Sequence, residues 1–360
     1  MSWQPPPAWE YAGSIHFHTN LSDGRSSPAA TACAAQSAKL DFVILTDHNT
    51  RQAALATPDW TGEGWQGSVL YLVGSEISPA GEHNHYLALG AGPFPHRASP
   101  QMCIDAVTAA GGLGFLAHPH DRGSIFLGLP AHSWMDWTVD NYQGIEIWNF
   151  FSGWVSQATS AWRTIRAVLA PRWTFTGPCP ETLALWDTAC QERKVVGIGG
   201  SDAHGVQIKL FGVTVIDASY EFSFQTVRTY VLLPAPLPKD ALAARIAILN
   251  GIGQGSCFVA DYGQGDPRGF RFWALTHNGL CISMGEEDRW PGPLTFQITT
   301  PTRAKIRLCR DGQPVSVTVS NRLAATHSQA GVYRVEVFRR HAGAWRPWIF
   351  SNPIYWRNST

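Results

Sequence analysis

The sequence predicts an α/β fold over roughly its first two-thirds and a small β-rich unit after it. Short apolar runs alternate with helix-like segments as far as Leu233, the pattern of β/α units, whereas segments after Phe270 alternate at period two between Pro, Gly and Asn turns. A third observation says where the chemistry sits: ten of the 13 histidines fall at or before His204, eight of them at or before His120.

The apolar runs are Ser14–His18, Phe42–Leu45, Val69–Val73, Tyr86–Leu89, Leu113–Ala117, Gly144–Trp148 and Val195–Ile198. Helices are expected between them. Ser27-Pro28 opens an Ala-rich run to Lys39, and Ser99-Pro100 opens another that stops at Gly111-Gly112; proline in the first turn costs no hydrogen bond there. Ala158–Leu169 and Pro180–Arg193 follow, the latter with Glu181 at its start and Arg193 and Lys194 at its end, matching the helix dipole. A helix from Asp240 to Asn250 connects to the β-rich part, whose strands are read at Phe270–Thr276, Leu294–Thr299, Lys305–Cys309, Val315–Val319 and Val332–Phe338. Asp311-Gly312 is a hairpin-turn signal between two of them. The expected division is residues 1–235, a connector over 236–255, and a small β-sandwich over 256–360.

Composition excludes several classes. The 360 residues hold 27 Lys+Arg against 27 Asp+Glu, whereas a protein that coats nucleic acid would be lopsided. No stretch approaches the ~20 apolar residues of a membrane span, and the N-terminus lacks the pattern of a secretory signal. Seven scattered cysteines with no CxxC pair fit reduced thiols in a cytoplasmic protein. The expectation is a cytoplasmic chain with no membrane and no stable nucleic-acid partner.

The polar residues follow the runs. The first ends in His16-Phe17-His18 with Asp23-Gly24 after it, the second in Thr46-Asp47-His48-Asn49, the third in Gly74-Ser75-Glu76. The fifth ends in His118-Pro119-His120, the sixth in Trp148-Asn149, the last in Ser201-Asp202-Ala203-His204. In a barrel of parallel strands all carboxyl ends share one face. Alternation along a strand would put His16 and His18 on one side, a chelate for a divalent ion, with Ile15 and Phe17 on the other. Singly, each residue is ordinary: a histidine at a strand end is usually solvated, and Asp-His can cap a helix. Together they indicate a site for more than one metal, with His, Asp and Glu favouring zinc, manganese or iron. Gly197-Ile198-Gly199-Gly200 lacks the spacing of a dinucleotide loop and reads as room for backbone near the metals.

These motifs, in this order and spacing, resemble those of the PHP (polymerase and histidinol phosphatase) domain, over most of residues 12–216. The whole chain is most similar to the carbaryl-hydrolase-like branch, with Gly331-Val332-Tyr333-Arg334-Val335-Glu336 and Pro347–Ile354 resembling its closing segment. The resemblance implies a distorted, TIM-like (β/α)7 barrel carrying two or three divalent metal ions. It implies that His16, His18, Glu76 and Asp202 surround one metal, that Glu76 bridges to a second held also by His118, and that Asp23, His48 and His204 hold a third. Family sites take a further histidine from the strand after His118, but Gly144–Asn149 has none. His120, Asn149 or a water is expected to replace it, or the second site is only partly occupied, with His120 and Asn149 otherwise expected to meet substrate. His85, in a His-x-x-x-Leu-Gly segment common in this branch, begins its run rather than ending it. It is therefore expected to contact substrate or protonate the leaving group.

The expected activity is a metal-dependent phosphoesterase acting through a metal-activated hydroxide on a mono- or diester of a small molecule or short nucleotide. Asp23, Glu76, Asp202 and a hydroxide balance two divalent ions; a third leaves two surplus positive charges, which suits a phosphate ester. Arg25, Arg97 and Arg122 are placed to meet that phosphate. A carboxylic-ester or carbamate hydrolase on the same site is the alternative reading, and a metal-stabilised binding module without catalysis is the third.

Overall fold

The structure is a computed structural model that describes residues 5–49, 62–79, 83–90, 92, 98–170, 174–210, 213–341 and 343–358. Arg97 lies outside them. The seven apolar runs form strands: β1 (Trp9–Phe17), β2 (Phe42–Leu45), β3 (Val69–Val73) running through Gly74 into β4 (Ser75–Ile77), β5 (Tyr86–Leu89), β6 (Leu113–Leu116), β7 (Gly144–Asn149) and β8 (Val196–Ala203). Their pairings close a ring. β1 lies parallel to β2 and β8, β2 to β3, and β7 to both β6 and β8. β5 departs from the parallel pattern: it runs antiparallel to both neighbours, β4 and β6. Only eight residues separate β4 from it, too few for the crossover that a parallel partner needs.

Helices α1 (Pro28–Ser37) and α2 (Pro100–Ala109) start where expected, capped by the Ser27 and Ser99 hydroxyls. A short helix not foreseen in the sequence, α3 (Phe150–Val155), follows β7 directly, capped by Asn149. α4 (Ala161–Leu169) starts three residues later than expected, at the Ser160 cap, and α5 (Pro180–Glu192) precedes β8.

Inside the ring, Ile15, Phe42, Leu70, Leu87, Phe115 and Ile198 form one buried cluster. Ala244, Ile248 and Ile252 of helix α6 (Ala241–Gly253) belong to it as well. The segment expected as a connector therefore plugs the barrel floor, at the end away from the polar residues.

The β-rich part is continuous with the barrel. β9 (Val227–Leu233) pairs antiparallel with β1 and with β10 (Cys257–Asp261), so an unbroken hydrogen-bonded sheet crosses the expected connector. β10 passes it on to β15 (Ala344–Ser351). β11 (Arg271–Leu275), β12 (Leu294–Arg310), β13 (Gln313–His327), β14 (Gly331–His341) and β16 (Ile354–Trp356) belong to this part, with short strands at Cys281–Ser283 and Glu287–Asp288. Leu294–Thr299 and Lys305–Cys309 are one strand with an irregularity between Thr299 and Ala304. Arg310 pairs with Gln313 across Asp311-Gly312, both at positive φ (49° and 80°), the two-residue turn that the sequence signals. All seven cysteines are free thiols, and among the described residues no helix is long and apolar enough to cross a membrane.

Candidate metal centre

His16 sits at a β-bulge. Ile15 pairs with Gly200 and Phe17 with Ala203, and His16 between them has φ 69°, in the left-handed region that side chains seldom adopt. The bulge reverses the alternation. Ile15 packs in the barrel interior, while Phe17 packs outside with Val43, Leu45 and Tyr71 beside α1. Ile15 and Phe17 are thus not on one side, contrary to regular alternation. Without the left-handed turn at His16, regular alternation from Ile15 would point the two histidines under α1 instead of into the barrel. His118 (φ 26°) and Asp202 (φ 52°) are also left-handed, so three candidate ligands sit in strained backbone.

Glu76 is the hub, buried at 1% exposure. Its Oε2 lies 3.1 Å from His16 Nε2, 3.1 Å from His18 Nε2 and 3.5 Å from His48 Nδ1. Its Oε1 lies 2.8 Å from His85 Nδ1 and 3.1 Å from His118 Nε2. Asp202 Oδ1 approaches His16 Nε2 at 3.4 Å and His18 Nε2 at 3.3 Å. At the mouth, Asp23 Oδ2 lies 3.2 Å from His204 Nε2 and 3.7 Å from His48 Nε2, with Asp23 Oδ1 3.4 Å from His18 Nδ1. Four sets have ligand atoms mutually within 4.8 Å: His16-Glu76-His118, His16-His18-Asp202, His18-Asp23-His48 and His48-Glu76-His85. The structure thus brings together His16, His18, Asp23, His48, Glu76, His85, His118, Asp202 and His204.

Reversal of β5 explains His85. The residue that begins an antiparallel strand lies at the same end as residues that finish parallel ones, so His85 joins the centre although it precedes its run. Glu146 was not singled out in the sequence. It lies at the inward position of β7, contacting His16 Nδ1 at 3.0 Å and accepting from the His118 backbone N–H at 2.9 Å and Asn149 Nδ2 at 3.0 Å. A Cβ on Gly200 would fall 2.2 Å from Glu146 Oε1 and 2.7 Å from His16 Cβ, which gives the glycine run the physical reason expected of it.

Asn149 and His120 do not line the cleft formed by His18, Asp23, His48, Glu76 and His85. Asn149 Nδ2 also reaches Asp202 Oδ2 at 3.3 Å, and its Oδ1 caps α3, so it orients a carboxylate from behind. His120 faces a smaller neighbouring cavity, with Nδ1 3.0 Å from Thr182 Oγ1 and its ring stacked on Trp137. Arg25 lines the cleft, whereas Arg122 is taken by Glu181 at 2.6 Å. The cleft has a volume of about 520 Å³, with Leu129, Pro130, Phe151 and Val155 on its walls and His132 beside His85 (ring centroids 5.1 Å apart).

The electrostatics fit a cation. Burial alone would lower the pKa of His16, but Glu146, Asp202 and Glu76 outweigh it and hold it well above its ordinary value. His18 and His118 are raised likewise against burial, by Asp202 and Glu76, to about 10 and about 9. Burial would raise Glu76 and Asp202, yet surrounding imidazoles hold both well below the usual carboxylate range. His48 is pushed down to about 4, chiefly by burial and also by His18 and His85. Both ring nitrogens of His18 and Nδ1 of His118 are buried without a hydrogen-bond partner. Buried polar atoms normally have one; a metal ion taking the lone pair of one ring nitrogen of each would answer part of that need, so these residues fit the ions that the resemblance implies.

No family model matches the chain, and no curated protein matches it. Among solved structures, one likeness is to a two-domain protein from Bacteroides vulgatus described as containing a predicted PHP-like metal-dependent phosphoesterase. The identity is 14%, with 97% of each chain covered and a TM-score of 0.46. Another is to a protein from Bifidobacterium adolescentis described as a metal-dependent phosphoesterase, at 17% identity over 56% of this chain and 90% of that one, TM-score 0.33. A third is to an amidohydrolase from Chromobacterium violaceum, at 17% identity over 53% and 87%, TM-score 0.31. None of the three singles out the carbaryl-hydrolase-like branch.

Proposed function

We propose that the protein is a metal-dependent hydrolase, a phosphoesterase acting on mono- or diesters of small molecules, with two or three divalent ions of zinc, manganese or iron. The observation that carries this reading is Glu76, each of whose oxygens meets at least two imidazole nitrogens, the arrangement of a carboxylate shared between two metal positions. His16, His18 and Asp202 complete one position. His118 and His85 complete the second, so His85 stands in for the histidine lacking from Gly144–Asn149. Asp23, His48 and His204 form a third at the mouth.

Bound divalent ions supply a water acidic enough to be a nucleophile near neutral pH, together with charge to polarise an ester oxygen. The chain's own residues do the rest. Glu146 and Asn149 fix the orientation of His16 and Asp202. Arg25, on the cleft wall, meets the anionic ester as a forked donor. His132, on the cleft wall beside His85, is the imidazole assigned to give the departing oxygen its proton. The buried Glu146 also corrects the charge count: three ions and a hydroxide would leave one surplus positive charge rather than two, still matched to a phosphate.

Turnover of p-nitrophenyl phosphate, bis-p-nitrophenyl phosphate and p-nitrophenyl acetate by the manganese- and zinc-loaded protein tests this. Metal-dependent cleavage of a phosphate ester, abolished in Asp202→Asn and in His18→Ala, is expected. Cleavage of the acetate alone would assign the carboxylic-ester reading instead, and binding of metal without turnover of any ester would leave a metal-stabilised binding module.

A further inference from the structure

A second polar hollow lies away from the metal centre. It has a volume of about 280 Å³ and is lined by Gln157, Arg163, Arg166, Thr174, Thr176 and Arg346. Two of the arginines come from α4 and one from β15, elements far apart in the chain. Arg163 and Arg166 stand three apart on the helix and so on one side of it. Arg163 Nη1 donates to Thr159 Oγ1 at 3.0 Å, and no described carboxylate pairs with any of the three. Several guanidinium groups elsewhere are neutralised, Arg334 by Asp187 and Glu336, Arg271 by Glu10, and Arg268 by Asp41 and Asp266.

Arg346 stands directly across the strand pair from Arg339, whose guanidinium turns instead to the Gln264 carbonyl and the Trp348 ring, so Arg346 is the member of the pair that faces the hollow. A position in the last turn of α4 accounts for Arg166, since cations favour a helix C-terminus. It does not account for Arg163 one turn earlier or for Arg346 on a strand. Three planar forks, beside a Gln157 amide that donates to Thr176 Oγ1 and a Thr174 hydroxyl that donates to Ala170 O, form a set suited to a phosphoryl-type oxyanion, which guanidinium binds through paired N–H groups.

We infer that this hollow is a binding site for a phosphate-bearing ligand, distinct from the metal centre. Its position admits two sources for the phosphate. Gln157 and Thr176 also line the cavity that His120 faces, and that cavity shares His118, Asp121 and Ser152 with the metal cleft. The anion is therefore either a second phosphate on a substrate long enough to follow this path, or a separate phosphorylated molecule.

The experiment is calorimetric titration of inorganic pyrophosphate into the metal-loaded protein, comparing wild type with Arg163→Gln/Arg346→Gln and with Arg166→Gln. The three arginines are partly or fully exposed, so the variants should melt like wild type. The double variant should lose at least tenfold in affinity for one class of sites, and Arg166→Gln should lose several-fold. Both losses should shrink as salt is raised. Identical isotherms for wild type and double variant overturn the inference. This readout needs no turnover, so it stands or falls separately from the phosphoesterase reading. The sources separate by kinetics. A tenfold rise in KM for an α,ω-alkanediol bisphosphate, with KM for p-nitrophenyl phosphate unchanged, assigns the anion to the substrate. Weakened pyrophosphate binding with both KM values unchanged assigns it to a separate ligand.

Discussion

His16 can offer Nε2 to a metal only if its other nitrogen carries the proton, and Glu146 Oε1, 3.0 Å from Nδ1, is the acceptor that holds the ring in that tautomer. Glu146→Gln puts an amide where one charged acceptor served His16, His118 and Asn149. Metal affinity should fall about 10–100-fold, the usual cost of losing such a partner, as read by competition with a chromophoric chelator, with the far-UV circular dichroism unchanged. Gly200→Ala attacks the same contact sterically. Its Cβ would need Glu146 or His16 to move, and the variant should lose about 1–3 kcal/mol in denaturant unfolding together with metal affinity. At this scale the sequence disclosed the ligands because their chemistry is local and repeated: His16, His18, His48, His118, Asp202 and His204 each close an apolar run. It did not disclose Glu146, because a lone carboxylate between Ile145 and Ile147 has no local pattern that separates an inward position from a solvent-facing one.

Strand direction decided what the sequence could say about His85. The run Tyr86–Leu89 announces a strand, but four residues carry no mark of orientation, and only pairing with β4 and β6 reveals that its beginning lies at the metal end. The bulge at His16 is equally silent, because bulges are set by partner strands rather than by composition. Helix α6 was legible as a helix and illegible as a floor, since apolar residues around most of its surface leave no periodic stripe to face one way. Its role predicts an asymmetry. Ile248→Ala should cost about 2–5 kcal/mol of unfolding free energy through the cavity it leaves. The folded fraction should bind metal with wild-type stoichiometry, because the floor lies at the opposite end of the strands from Glu76 and Asp202. A variant that lost metal without losing stability would contradict that separation.

The whole molecule is stitched through the same strands that carry the centre. Asn352, 1% exposed, accepts from Gly197 N–H at 2.7 Å and donates to Gly197 O at 2.9 Å and Cys257 O at 2.8 Å. Tyr355 Oη meets both Val195 N and Val195 O at 3.1 Å, and Arg334 forks onto Asp187 of α5. Val195 precedes and Gly197 begins the strand whose far end presents Asp202, so the β-rich part braces the strand that carries this candidate metal ligand. Trp148, Trp186, Val332, Phe350 and Tyr355 share one core, which the period-two pattern of the last hundred residues gave no means of assigning to the barrel. Asn352→Ala would leave buried backbone groups unpaired, at about 1–3 kcal/mol each, and should lower the melting temperature of the entire chain in one transition. Chelation tests the coupling from the other end. An ion present at a thousand times its dissociation constant stabilises the folded state by about 4 kcal/mol, which chelation removes. Calorimetry of the chelated protein should therefore show a single transition at lower temperature. Two resolved transitions, with only the lower one responding to metal, would mean that the barrel and the β-rich part unfold independently despite the sheet that joins them.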